Sequence, residues 1–278
     1  PREPVEARGR APPRVSVVVP SDPAATSFRD QANWSGAYYE LAIELGARDD
    51  DVLDRAFRAL WLAARVEGCF ASGAVEPHEQ AAIELERASI ALAGWFRGHV
   101  RLPSGDRIVC LACTVREDAV SGSDWLDFCL PEGAAERVDP RVDAPLLDGS
   151  RGSFTSFAWR RPVNDWLAEV AHQVYRTVPF RLALIGCEVS GRTDLATDST
   201  ERGVGYLRPR DGVLEYFPAT RGRARANAWR VSRALAAPLR ARRRGRAPRH
   251  APRARLPPRL ARADARRGPP RSSGARRA

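Results

Sequence analysis

Tyr38-Tyr39-Glu40-Leu41-Ala42-Ile43-Glu44-Leu45 and, a few residues on, Asp49-Asp50-Asp51-Val52-Leu53-Asp54-Arg55-Ala56-Phe57-Arg58-Ala59-Leu60-Trp61 form the stretch on which the fold turns. In the first half Tyr39, Leu41, Ile43 and Leu45 alternate with Tyr38, Glu40, Ala42 and Glu44. That period of two, with acids on one side, predicts a half-buried strand. In the second half the period changes. Leu53, Phe57, Leu60, Trp61 and Ala64 recur at helical spacing, with Arg55 and Arg58 on the other side. Asp49, Asp50 and Asp51 stand where N-cap and first-turn carboxylates are favourable. The spacing predicts an amphipathic helix over 51–66, ended by Gly68, with a short strand starting at Cys69 to Ala71.

The same reading extends downstream. Trp95–Leu102 and Arg107–Val115 flank Pro103-Ser104-Gly105-Asp106, a hairpin signal. Residues 77–93 admit either a helix or a strand reaching back from Phe96. Trp125–Leu130 reads as a strand, and the Pro-, Asp- and Gly-rich residues 131–152 as a loop. Phe154–Trp159 reads as a strand, followed by a helix with Pro162 in its first turn and Val163, Leu167, Val170 and Val174 on one face. Pro179 ends that helix. Phe180–Val189 is apolar on both faces, the pattern of a central strand. Gly203–Leu207 and Val213–Phe217 flank Arg208-Pro209-Arg210-Asp211-Gly212, a second hairpin. Strand–helix–strand thus recurs around 38–71 and 154–189, each time after a glycine, which raises an internal duplication. The expected fold class is α+β: a mixed or mainly antiparallel sheet with two main helices packed on it, plus a disordered Arg-rich C-terminal tail.

Charge divides the chain as well. The formal net charge is +11, but residues 221–278 hold 20 arginines and a single acid, Asp264. The residues before them hold 25 basic and 33 acidic groups, a net of −8. Arg, Ala, Pro and Gly dominate the last 58 residues, and Trp229 is their only aromatic. So little apolar surface cannot offset the entropy of ordering, and disorder is expected. The expected organisation is a flexible segment over 1–31, a single α+β domain over 32–220, and a basic tail over 221–278. The tail suits non-specific, salt-sensitive contact with nucleic acid. It lacks the interleaved aromatics of a folded module that stacks RNA bases. The chain contains no Lys and no Met. Their codons are A/T-rich, so the coding DNA is G/C-rich, and a shifted reading frame of such DNA would also produce an Arg/Ala/Pro/Gly tail.

No apolar run reaches the roughly 18–20 residues a spanning helix needs. No apolar core follows the basic residues of Pro1 to Arg14, so a secretory signal is not expected and the location reads as cytoplasmic, without a membrane partner. Cys69, Cys110, Cys113, Cys129 and Cys187 are odd in number and lie mostly in apolar runs, which reads as reduced, buried thiols.

The motifs that carry chemistry are incomplete. Gly186-Cys187-Glu188-Val189-Ser190-Gly191-Arg192-Thr193 resembles the P-loop pattern, with Arg192 in the lysine position. Glu188 would set a negative charge beside the phosphates, and Asp194–Arg202 lacks the apolar stripe of the helix that must follow, so the segment reads as a strand-to-loop exit. Cys110-Leu111-Ala112-Cys113 has no second pair for zinc, and within a strand its thiols point to opposite faces. A nucleophile–base pair of Cys187 and His172 is a further possibility in kind, with nothing in the spacing to join them. The remaining candidates are Trp159, Arg160, Arg161, Asp165 and Glu188. There the second helix starts and the central strand ends, so aromatic and charged groups converge on a pocket. No cofactor and no metal is expected. The function this supports is a non-catalytic binding or interaction domain for a protein or small molecule. The alternatives are an enzyme using an aromatic-lined polar pocket and nucleic-acid binding through the tail.

Overall fold

The chain alternates signals for strand and helix, and the computed structural model, which describes residues 23–117, 122–142 and 157–220, resolves them into one eight-stranded antiparallel sheet with helices. β1 (Tyr38–Gly46) is followed by α1 (Asp50–Ala63), β2 (Glu67–Phe70), the one-turn α2 (Ile90–Ala93), β3 (Trp95–Arg101), β4 (Arg107–Arg116) and β5 (Asp124–Pro131). Then come α3 (Glu132–Val138), α4 (Phe157–Thr177), β6 (Leu182–Cys187), β7 (Gly205–Arg210) and β8 (Val213–Phe217). The spatial order is β2-β3-β4-β5-β1-β6-β7-β8. The first strand therefore sits inside the sheet, between a meander that returns to it and a second that leaves from it. Leu41 pairs with Phe128 on one side and Ile185 on the other.

α1 starts where the sequence places it. The Asp49 carboxylate accepts from the amides of Asp51 and Val52, both at 3.0 Å, satisfying two of the first-turn donors that a helix leaves orphaned. Its stripe of Leu53, Ala56, Phe57, Leu60 and Trp61 is buried. The helix ends three residues earlier than expected, because Arg65 adopts φ 55° and its neighbours close a Schellman pair: Val66 N to Trp61 O, and Arg65 N to Leu62 O. α4 buries Trp159, Val163, Leu167, Val170 and Val174. With α1 it packs on the sheet face that carries Tyr39, Leu41 and Ile43, the main apolar core. A smaller cluster of Ala42, Trp125, Leu184, Val189 and Tyr206 lies on the opposite face.

Both expected hairpins form. β7 and β8 pair from Tyr206–Phe217 to Arg210–Val213 around a two-residue turn, Asp211 at φ 53° and Gly212 at φ 80°. Both positions of that primed turn need positive φ, which Asp-Gly meets at low cost. The strand consequently runs through Arg208, Pro209 and Arg210, which the sequence reading assigned to the loop. All five cysteines are free; four are buried and Cys187 is partly exposed.

Elsewhere the structure corrects the sequence reading. Residues 157–159 do not end a strand but open α4. Their aromatic alternation imitates a strand, while Trp159, Val163 and Leu167 already stand four apart, and Pro162 lies within the helix rather than in its first turn. The second strand–helix–strand unit, and with it the duplication, is absent among the described residues. The loop expected over 131–152 contains α3, held because Glu132 folds back to accept from Ala37 N at 2.8 Å. Residues 77–93 become 3-10 turns at Pro77–Glu79 and Leu85–Arg87, then α2. The flexible segment drawn over 1–31 is also shorter among the described residues. Pro23–Thr26 is a 3-10 turn, and Ala25 and Phe28 are fully buried. Asn33 donates to Ala24 O and Ser27 O, and the Glu76 carboxylate accepts from Ser27 Oγ, Phe28 N and Arg29 N. The tail over 221–278 lies outside the described residues. No described helix is long and apolar enough to cross a membrane.

Candidate functional site

Two of the five sequence candidates meet in a cleft. Arg161 and Asp165 are one turn apart on the exposed side of α4. They line a cavity of about 370 Å³ between that helix and the edge strand β8, with Phe157, Asn164, Tyr216 and Pro218–Thr220. Asn164 is 2% exposed, and its amide oxygen accepts from the Tyr39 hydroxyl at 2.5 Å, which leaves its NH2 to the cleft. The Tyr216 hydroxyl is buried and has no hydrogen-bond partner among the described residues. Burial first, and then the Asp165 charge, push its ionisation far above the ordinary phenol value, so it enters the cleft as a neutral donor and acceptor. Among the described residues neither Arg161 nor Asp165 forms an ion pair. The cleft therefore offers a cation, an anion, an amide and a hydroxyl, none of them committed to one another.

The other three candidates go elsewhere. Trp159 is 3% exposed and meets the Tyr39 ring edge-on, with centroids 5.3 Å apart. Arg160 is 1% exposed; its Nε donates to Tyr39 Oη at 3.1 Å and its Nη2 to Gly203 O. These two tie α4 to the sheet and to the chain before β7, and neither lines the cleft. Glu188 leaves β6 at φ 48°, and its charge acts on Tyr38 and Glu40, which strand alternation puts on the face opposite α4. Among the described residues no hydrogen bond joins His172 to Cys187.

That opposite face carries a set of groups the sequence reading missed. Glu40 on β1 and Asp127 on β5 are 6% and 2% exposed. Register places Glu40 directly across from Cys129 and diagonal to Asp127. Glu40 Oε1 accepts from Val189 N at 2.5 Å and Ser190 N at 2.8 Å, and Cys129 Sγ lies 3.8 Å from Oε2. The loop that resembles a phosphate cradle thus turns two of its amides onto the protein's own carboxylate. Burial pushes the Glu40 carboxyl up to about 7 against the pull of those amides, with the Glu188 charge adding to the rise. Asp127 is driven well above the carboxylate range by burial, then by Glu40 and Cys113, and its Oδ1 has no hydrogen-bond partner among the described residues. A hydrogen bond with Cys113 and then burial raise Cys129, and burial with the Glu188 and Glu40 charges raises Cys187, so these are neutral thiols rather than nucleophiles. The sequence signal was present: Glu40, Ala42 and Glu44 mark the polar side of β1. What it lacked was the second layer, since the loop from Glu188 to Val204 covers part of that side.

His99 has an ordinary structural role. Its Nε2–H donates to Thr26 O at 2.8 Å and its Nδ1 accepts from Arg107 at 3.0 Å, a neutral ring that burial favours. Among the described residues no three His, Cys, Asp or Glu side chains gather as metal ligands. No family model, curated protein or solved structure matches this chain.

Proposed function

We propose that the protein is a non-catalytic binding domain for a small charged molecule, with the α4–β8 cleft as its site and a zwitterion such as a free amino acid as its ligand class. The observation that carries this reading is the pair Arg161 and Asp165, opposite charges one helical turn apart on a concave wall, neither of them neutralised by the protein. Residues four apart on a helix have Cβ atoms roughly 5–6 Å apart, which suits a ligand whose carboxylate and ammonium are separated by a few bonds. Arg161 would receive the carboxylate as a fork and Asp165 the ammonium. Asn164 and Tyr216 would supply fixed polar contacts, and Phe157 and Pro218 the apolar walls usual in small-molecule sites.

Isothermal titration calorimetry of the full chain with free L-amino acids, against their amides and N-acetyl derivatives, tests the proposal. Saturable binding of at least one amino acid is expected, weakened at least about tenfold by removing either ligand charge, Arg161→Gln or Asp165→Asn. An absence of saturable heat for every free amino acid, or binding indifferent to both substitutions, would reject it.

A second reading, acid–base catalysis, is favoured by one observation: Glu40 and Asp127 are buried diagonal neighbours on adjacent strands, and burial pushes both carboxyls above the ordinary carboxylate range. It requires turnover of some substrate that Glu40→Gln abolishes while the cleft substitutions leave it unchanged.

A further inference from the structure

We infer that Arg97, stacked against Trp34 and Trp95, forms a second binding site, specific for an oxyanion with two coplanar oxygens. Arg97 lies on β3, paired with Leu111 of β4 and Phe70 of β2, on the face opposite α1 and α4. Its guanidinium carbon is 4.2 Å from the Trp34 ring centroid and 4.7 Å from that of Trp95. Trp34 is itself fixed, its indole N–H donating to Phe28 O at 2.9 Å and its ring meeting Phe28 edge-on. Gly73 lets the guanidinium lie there, since a side chain at position 73 would overlap Arg97 Nη1.

The partners make this more than a packing feature. Two indoles lie against the guanidinium, and neither supplies a hydrogen-bond acceptor to its N–H groups. Among the described residues Arg97 forms no ion pair and no hydrogen bond, and its buried Nε has no partner. The nearby Tyr38 phenol is pushed up to about 12, mainly by burial, and stays neutral, so it contributes no counter-charge. Removing a cation from water without an anion is costly, and stacking on tryptophan offsets only part of that cost. A guanidinium stacked against two indoles is a preorganised fork whose remaining chemistry is bidentate contact with a carboxylate or phosphate. Half-exposed Trp34, Tyr38, Trp95 and Leu111 surround it, above the buried Cys113.

The test is an NMR titration of the uniformly 15N-labelled full chain, following the Arg97 side-chain Nε–H. Sodium acetate, inorganic phosphate and sodium chloride are added separately at fixed ionic strength. Saturable displacement by acetate or by phosphate is expected, and the tighter of the two assigns the source as a carboxylate or a phosphate group. Arg97→Lys, which keeps the charge and loses the fork, should weaken binding at least about tenfold as read by the Trp34 indole resonance. Gly73→Ala, which crowds the guanidinium, should do the same. A resonance that does not move with either oxyanion, or that moves equally with chloride, would overturn the inference. So would binding that Arg97→Lys leaves intact in a chain with an otherwise unchanged spectrum. Because Arg161 and Asp165 lie on the other side of the sheet, their substitution should not alter this titration.

Discussion

Glu40 is the residue at which the protein's electrostatics are least settled. Two backbone amides hold its carboxylate, yet burial keeps its ionisation near 7, above the unfolded value of 4.5. A carboxyl raised in this way binds more protons folded than unfolded. The stability it contributes is complete below about pH 4.5 and is lost as pH rises through about 7. Asp127 acts in the same sense. Glu76 and Asp139 act oppositely: hydrogen bonds from Ser27 and Arg29 to Glu76, and from Arg141 to Asp139, hold them low, so their contribution disappears as pH falls below about 4. Urea denaturation should therefore show maximal stability near pH 5 and a decline towards pH 8. Glu40→Gln keeps an oxygen for Val189 N and Ser190 N, and should flatten that decline and stabilise the protein at pH 8 by about 2–3 kcal/mol. A wild-type profile that rises from pH 5 to pH 8 would contradict this assignment.

Among the elements, α1 shows how far local chemistry determines an end. Arg65 occupies the left-handed position of the Schellman motif that glycine usually fills, is exposed, and its side chain forms no hydrogen bond or ion pair among the described residues. A non-glycine residue there costs roughly 1–2 kcal/mol, so Arg65→Gly should raise the unfolding midpoint by a few degrees, a gain near 1 kcal/mol. At the other end, Asp49→Ala should cost about 1 kcal/mol by freeing the amides of Asp51 and Val52. Thermal melts of both variants against the parent measure these effects. The elements legible in the sequence were those whose period and termini agree, such as β1, α1 and both hairpins. Those misread had one signal contradicting another. Phe157 and Trp159 alternate like a strand while belonging to a helical repeat. Glu132 and Gly133 look like loop composition, but they are held by Ala37 and Ser35 from a distant turn. The cleft was legible in part because Arg161 and Asp165 are neighbours on one helix. Tyr216 reaches it only through the β7–β8 hairpin, a tertiary fact without a local trace, and the Arg97 stack needs Trp34, 63 positions away in the chain.

For the whole molecule, the contrast in charge between residues up to 220 and those after them predicts separable behaviour. Nucleic-acid retention by the full chain should fall steeply between low and moderate salt, and should vanish on truncation after Thr220. The truncated chain should keep amino-acid binding at the cleft and the Arg97 titration. Electrophoretic mobility shifts at two ionic strengths, run beside calorimetry on both forms, check this; retention that survives truncation would place the contact on the sheet domain instead.

The position of β1 also sets an order of events during synthesis. It leaves the ribosome well before its hydrogen-bonding partners, β5 about 80–90 positions later and β6 later still. Until they arrive, Tyr39, Leu41 and Ile43 belong to a nascent ribbon with both rims open, the arrangement most prone to pairing with a neighbouring chain. Closing loops of that length before any native contact rewards them makes docking of this strand a late and slow event. The acids at Glu40 and Glu44, costly once enclosed, would then guard the unfinished chain against self-association.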